Sequence, residues 1–293
     1  MQKRGTIVLN AYIAYPGLAN LANRLKEEFK KLSVDIQMID NSEILAFLEG
    51  NGSFSDLSLK TDFVVYLDKD PYIAEILEKK GLRLFNKAES IRLCDDKMLT
   101  YLTLANNNIA MPKTITAPLC YANKDNDAFV LNLEKVLQFP MISKLNFGSQ
   151  GKGVALVRNH EELIKREHEI AYSPRLYQEQ IVSSFGVDFR LIVIGGKCFA
   201  SMKRENHSGD FRSNIALGGT GESVELPSSF YEVAEKAAKL LDLDYCGVDL
   251  LLGENNSPIL CEVNSNAFID GIEKATNKNV AGAYANHIIK TIY

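Results

Sequence analysis

The chain has 293 residues, 46% of them hydrophobic and 24% charged, with a net charge of −4. It is long enough to bury a large core in two or three compact units. The charge gives no reason to expect nucleic acid as a partner, and no apolar run approaches the ~20 residues of a membrane span. Five cysteines (Cys94, Cys120, Cys198, Cys246 and Cys261) and four histidines are scattered without a CxxC pair. That pattern predicts neither a disulfide framework nor a zinc site, and it points to a reducing, cytoplasmic setting.

The N-terminus, MQKRGTIVLNAYIAYPG, places basic residues before an apolar stretch as a signal peptide does. The apolar part is short and broken by Asn10, so it reads as a first strand, Thr6 to Ile13. Leu18, Leu21, Ala22, Leu25, Phe29 and Leu32 then follow helical spacing. Strands are expected at Val34 to Ile39 and, after a polar stretch from Gly50 to Ser58, at Phe63 to Leu67. Asp70-Pro71 marks a helix start and Gly81 its end, with a short strand at Leu82 to Phe85. Alternating strands and helices predict a parallel α/β unit ending near Cys94.

A helix from Asp95 to Asn107 opens on two acids and carries Lys97. Met111-Pro112 closes it before a strand at Lys113 to Thr116. Tyr121 to Asp127 reads as a loop and Phe129 to Leu137 as a helix, which Pro140 ends before the strand Met141 to Leu145. KLNFGSQGKGV follows, from Lys144 to Val154, with Gly148, Gly151 and Gly153 within six residues. Glycines at this density let backbone N–H groups approach a ligand, as phosphate-cradling loops do. The spacing is neither GxGxxG nor GxxxxGK[ST]. An ordinary glycine-rich turn explains it equally, except that Lys144 stands where it could reach the same anion.

Val154 to Val157 reads as an apolar strand-like run, Glu161 to Glu169 as a charged helix, and Leu176 to Val182 as a strand. In Val187 to Ile194, VDFRLIVI, Asp188 and Arg190 share one face and could form an ion pair. Gly195-Gly196 turns the chain into Lys197 to Lys203. The loop from Glu205 to Gly221 contains FRSN and is long enough to be functional. Phe230 to Leu241 and Val280 to Tyr293 are helical.

Between those two helices lies CGVDLLLGENNSPILCEVNSNA, Cys246 to Ala267. Its apolar runs, Val248 to Leu252 and Ile259 to Val263, flank a polar turn and predict an antiparallel hairpin. A turn centred between Asn255 and Asn256 sets Asp249 opposite Glu262, and period two puts Asn264 on the same face as Glu262. Facing carboxylates repel. A divalent cation reverses that, and the hard oxygen donors suit Mg²⁺ or Mn²⁺. Acids facing water are the plainer explanation.

The ordered set of Lys97, KLNFGSQGKGV, QEQI, GVDFR, MKR, GDFRSN, GVDLL and EVNSN resembles the ATP-grasp superfamily, and within it the RimK-type α-L-glutamate ligases. The resemblance covers Asp95 to the C-terminus, while the first 94 residues match only as an α/β unit of suitable size. It implies an α/β (α+β overall) ATP-grasp fold: an N-terminal unit at 1–94, a central subdomain at 95–183 and a C-terminal subdomain at 184–293. It assigns Lys97 and Lys144 to the nucleotide, and Gly148, Ser149, Gln150, Gly151 and Gly153 to the loop over the phosphates. Glu179, Gln180 and Ile181 would face the adenine, and Asp188 the ribose, with Arg190, Ser213 and Asn214 also in the nucleotide set. Arg204 and Arg212, with Asn214, would handle the γ-phosphate and an acyl phosphate. Asp249, Glu262 and Asn264 would hold the metal.

The activity so implied is ATP-dependent carboxylate–amine ligation, adding glutamate to a protein C-terminus, a peptide or a small molecule. Homo-oligomers are common among such ligases, and neither nucleic acid nor membrane is an expected partner. An ATP-grasp kinase and a non-catalytic nucleotide-binding module are the alternatives. Where the family usually has Ser-Ser-Pro-Gly after EVN, this chain has Ser265, Asn266, Ala267 and Phe268. Asn277 likewise replaces the glycine of IEKATG. Both departures bear on the acceptor.

Overall fold

The computed structural model describes residues 3–12, 16–45, 47–54, 59–122, 127–215 and 218–293. β1 (Arg4–Leu9), α1 (Pro16–Lys31), β2 (Asp35–Asp40), β3 (Phe63–Leu67), α2 (Pro71–Lys79) and β4 (Leu84–Phe85) build a parallel sheet in the order β2-β1-β3-β4. β3 reads FVVYL and is buried throughout, as a strand covered on both faces requires. Asp70 caps α2 by accepting from the backbone N–H groups of Tyr72 and Ile73, and Pro71 supplies the preset first turn. Gly81, at φ +86°, takes the left-handed conformation that leads the chain away. The first strand is shorter than expected: it stops at Leu9, and Ile13 lies outside the described residues. Residues 55–58 of the polar stretch and 123–126 of the loop also fall there.

The helix expected from Asp95 to Asn107 is two helices, α3 (Ala88–Asp95) and α4 (Lys97–Leu104). Asp96 between them is extended, and its carboxylate accepts from the N–H groups of Met98 and Leu99. A side chain that caps one helix competes with continuing the other. Asp95 therefore ends a helix, and Lys97 starts one.

β5 (Thr114–Thr116), α5 (Asp127–Leu137), β6 (Met141–Leu145), β7 (Val154–Val157), α6 (His160–Ile170) and β8 (Arg175–Glu179) form an antiparallel sheet, order β5-β8-β6-β7, with the two helices packed on it. β8 ends at Glu179, short of the expected Val182.

β9 (Val187–Ile194), β10 (Lys197–Glu205), β11 (Thr220–Ser223), α7 (Ser228–Leu240), β12 (Tyr245–Leu252) and β13 (Pro258–Asn264) give the third sheet, antiparallel, order β11-β10-β9-β12-β13. α7 buries Phe230, Ala234, Ala237 and Ala238 on one face. α8 (Asp270–Thr276), absent from the sequence reading, and α9 (Val280–Ile292) complete the chain. α9 shares one core with α1, where Tyr284, Ala285 and Ile288 meet Leu21, Leu25 and Phe29. Asn86 ties the first sheet to the third: its amide donates to the carbonyls of Tyr245 and Ser265 and accepts from the N–H groups of Asp244 and Tyr245. Among the described residues no helix is long and apolar enough to cross a membrane.

Candidate active site

The β12–β13 hairpin sets Asp249 opposite Glu262, and Asn264 opposite Gly247. The turn is centred on Asn255 rather than between Asn255 and Asn256, since Leu252 pairs with Pro258 and Leu250 with Leu260. The ladder shifts between Asp249 and Leu250, leaving Cys261 as the extra residue of a β-bulge. The bulge restores the opposition of the two acids and aims Cys261 at the neighbouring sheet. Its Sγ lies 3.9 Å from Lys144 Nζ. Burial pushes the Cys261 thiol up, so it meets the ammonium as a neutral acceptor. The Tyr101 hydroxyl donates to the Cys261 carbonyl at 2.5 Å, fixing the bulge from α4.

Asp188 and Arg190 do share a face of β9, but each pairs across to the next strand. Arg204 on β10 donates Nε and Nη2 to the two oxygens of Asp188, at 2.6 and 2.5 Å, and Nη2 reaches Asp249 Oδ2 at 2.9 Å. Arg190 donates Nε and Nη2 to Asp249 at 2.7 and 2.6 Å. The result is a charge-alternating row, Asp188–Arg204–Asp249–Arg190, across three strands. Arg204 and Asp249 are each only 3% exposed, so these are desolvated pairs with fork-to-fork geometry. Burial pushes the Asp249 carboxyl up, but the two guanidiniums outweigh it and hold it down at about 2.

Lys97 and Lys144 are both 9% exposed. Lys97 opens α4 and donates Nζ to the Gly148 carbonyl at 2.9 Å, with Glu262 Oε1 at 3.4 Å. Arg212 donates to both oxygens of Asp210 and, through Nη1, to the Gly151 carbonyl at 3.1 Å. Two cations from different elements thus hold the glycine loop by its carbonyls. Gly148, Gly151 and Gly153 have φ of +135°, +75° and +76°, and Gln150 of +57°. At Gly153 a Cβ would also sit 2.9 Å from the Leu145 side chain.

The loop covers a cavity between the second and third sheets. Lys97, Lys144, Gly148, Ser149 and Gly151 line it from one side, Glu179, Gln180 and Ile181 from the β8 end. Asp188, Arg204, Arg212, Ser213 and Asn214 close it from the other, with Asp249 and Glu262. Gln150, Arg190 and Asn264 face instead an adjoining cavity, which shares Ser149, Lys152, Asn214 and Glu262 with the first. Gly153 lies at the base of the loop, behind both. Glu179 accepts from the Lys113 N–H at 2.7 Å, and the Ile181 carbonyl accepts from the Ser184 N–H at 3.1 Å.

Among the described residues no cluster of three or more His, Cys, Asp or Glu side chains could hold a metal. The oxygen donors expected for a cation, Asp249, Glu262 and Asn264, stand on the neighbouring strands β12 and β13. The buried Nδ2 of Asn264 has no hydrogen-bond partner, and a half-turn of the amide exchanges that N–H for its oxygen. Hard oxygens of this type suit Mg²⁺ or Mn²⁺, but both Asp249 oxygens already accept from Arg190 and Glu262 lies 3.4 Å from Lys97, so a cation would have to share them.

Asp96, Tyr101 and Asn146 were not singled out in the sequence, yet they hold the site in shape: Asn146 donates to Asp96 at 3.0 Å, and its carbonyl accepts from the Lys97 N–H. No local signal marks the Asn146 contact, which joins residues fifty apart.

Residues 94–289 match a protein family described as the RimK-like ATP-grasp domain. The human β-citrylglutamate synthase B is 34% identical over 224 residues, which is 76% of this chain and 57% of that protein. A probable α-L-glutamate ligase of Marinomonas sp. is 36% identical over 218 residues, 74% of this chain and 70% of that one. The chain thus spans little more than half the length of some curated relatives it matches. Among solved structures, the D-alanine–D-alanine ligase of Bacillus anthracis superposes with a TM-score of 0.75 at 19% identity, over 99% of this chain and 97% of that chain. The ATP-grasp ligase PsnB, solved with a precursor variant, Mg and ADP, gives 0.71 at 15% identity over the whole of both chains. At such identities the structures show a shared ATP-grasp fold.

Proposed function

Since the chain belongs to the RimK-like ATP-grasp family, we propose that it is an ATP-dependent, ADP-forming carboxylate–amine ligase that adds L-glutamate to a carboxylate of a protein, peptide or small molecule. The observation that carries this reading is the row Asp188–Arg204–Asp249–Arg190 beside Lys97, Lys144 and Arg212. A site with Lys97, Lys144, Arg204 and Arg212 facing one cavity is built for a polyanion whose charge moves during reaction. Relatives named for glutamate ligation and for citrylglutamate synthesis support glutamate as the amine.

The nucleotide would lie between the second and third sheets, with its base at Glu179, Gln180 and Ile181, its ribose near Asp188 and its phosphates under the glycine loop. The cavity there is about 120 Å³, below the roughly 300 Å³ of ordinary ligand pockets. Lys97 and Arg212 occupy the loop carbonyls meanwhile, so phosphates would take over these cations and lift the loop. Asp249, Glu262 and Asn264 would hold Mg²⁺ or Mn²⁺, which supplies Lewis-acid neutralisation of phosphate charge. The substrate carboxylate oxygen attacks the γ-phosphorus, the bond to the β-phosphate oxygen breaks, and ADP leaves. Arg204 and Arg212 stabilise the charge on the transferred phosphoryl group. The amine of glutamate then attacks the acyl carbon, loses a proton, and expels phosphate. Closure of the loop keeps water from the acyl phosphate. The units 1–94, 95–183 and 184–293 would serve as acceptor wall, nucleotide lid and catalytic floor, in the cytoplasm and as a homo-oligomer.

The test is incubation with ATP, Mg²⁺, labelled glutamate and cell extract, read by mass spectrometry, with hydroxylamine added in parallel. A labelled amide product and a trapped hydroxamate are expected. ADP formation with a phosphorylated hydroxyl product and no hydroxamate would make the protein a kinase instead.

A further inference from the structure

Three strands of the first sheet end side by side in polar residues: Asn10 follows β1, Asn41 follows β2 and Asp68 follows β3. Asp68 Oδ1 accepts from Asn10 Nδ2 at 3.0 Å and from the Lys69 N–H at 2.7 Å, and Oδ2 accepts from Asn41 Nδ2 at 2.8 Å. Every one of these donors is neutral. The ammonium of Lys69 is directed to Asp95, at 2.6 Å. Asp68 is only 6% exposed, so its negative charge is desolvated and fixed in place, yet not balanced by the groups that hold it. This contrasts with Asp188 and Asp249, whose oxygens are filled by guanidinium groups.

The position of Asp68 has a topological meaning. The chain winds from β1 one way to β2 and the other way to β3, and in open parallel sheets ligands bind at the carboxyl ends beside that switch point. A cavity of about 370 Å³ opens there, with Asn10 and Asp68 on the wall from the first sheet and Arg190, Glu262, Asn264 and Phe268 on the other. Because it also shares Glu262 and Asn214 with the nucleotide cavity, a molecule seated in it can present a carboxylate toward the phosphates. Asn266 donates to the Asp68 backbone carbonyl at 2.9 Å, and a Cβ at Gly17 would stand 2.9 Å from the Phe268 ring. Asn266 and Phe268 thus pack the opposite wall of this cavity against the first sheet and α1.

Resting on the ligase reading above, we propose that Asp68 selects a carboxylate substrate that also carries a protonated amine: an amino acid or a peptide with a free N-terminus. A reacting amine must shed its proton to attack, whereas a fixed carboxylate favours the protonated form. The ammonium at Asp68 thus belongs to the molecule being activated, not to the incoming nucleophile.

The experiment compares paired acceptors, each with its N-acetyl form: L-aspartate and the dipeptide Ala-Glu. ADP release is read with ATP, Mg²⁺ and glutamate at fixed levels. For at least one pair, kcat/KM should favour the free amine by at least about tenfold. In Asp68→Asn that preference should fall to within about threefold, through KM rather than kcat, with nucleotide binding retained. The same pairs are titrated calorimetrically into protein loaded with Mg²⁺ and AMP-PNP, which needs no turnover, and the wild-type comparison stands even if the variant fails to fold. Binding that favours the free amine without any ADP release would overturn the ligase reading and keep this one. Equal use of both members of every pair, preference for the N-acetyl forms, or no binding by any member would overturn the role of Asp68.

Discussion

Two polar surfaces of this molecule solve the cost of burying charge in opposite ways. On the third sheet, Asp188 and Asp249 are matched by Arg204 and Arg190 in a row that is neutral as a whole. At the carboxyl edge of the first sheet, Asp68 is held by Asn10, Asn41 and a backbone N–H, none of which carries charge. The first surface is balanced in charge without a ligand, and on the proposed function it would hold its arginines in place before phosphates arrive. The second is complete in hydrogen bonds and incomplete in charge, which is the condition for recognising a cation. Preorganisation belongs to the one surface and selection to the other.

The largest effect should come where the neutral row meets the second cavity. Glu262→Gln keeps the shape of the side chain and removes one charged oxygen donor; ADP release should fall more than about 100-fold with every acceptor. A steady-state coupled assay reads this, and turnover within a few fold of wild type would remove Glu262 from the metal set. Next in size is the row itself. Asp188→Ala leaves the Arg204 guanidinium buried with only its single contact to Asp249, and urea unfolding should show a loss of about 3 kcal/mol or more. A loss below about 1 kcal/mol would show that the row is solvated in solution.

The glycine loop is expected to respond more mildly. Gly153→Ala forces a side chain onto φ +76° and against Leu145, costing about 1–3 kcal/mol in thermal or urea unfolding. The exposed pair Lys87–Asp242, with side chains 40% and 69% accessible, is the control at the small end. Asp242→Ala should change stability by less than about 1 kcal/mol, and less again in high salt. If this variant cost as much as Asp188→Ala, burial would not be what separates the two classes of ion pair.

What the sequence could show of these surfaces follows their range. β3, β6, β7 and β9 have the bounds that their apolar runs suggest, because Gly, Pro or Asp precedes each and a polar residue or Gly follows. The opposition of Asp249 and Glu262 was legible from one hairpin, although the turn centre was not: a bulge at Cys261 compensates for it, and no residue type announces a bulge. The break at Asp96 was hidden by the helical character on both sides of it. Asp188 and Arg190 were visible as a pair on one face, but their partners, Arg204 and Asp249, are set by strand order. Asp68 gave no signal at all, since its environment comes from strand ends 27 and 58 residues away.

The central claim is that a magnesium–nucleotide complex binds between the second and third sheets, under the glycine loop. Calorimetric titration of ATP into the protein with Mg²⁺ tests it most directly. One site is predicted, with binding weakened at least about tenfold by Lys144→Met, which removes a buried cation from the cavity. No heat and no thermal shift at millimolar ATP and Mg²⁺, or equal binding by the Lys144 variant, would contradict it.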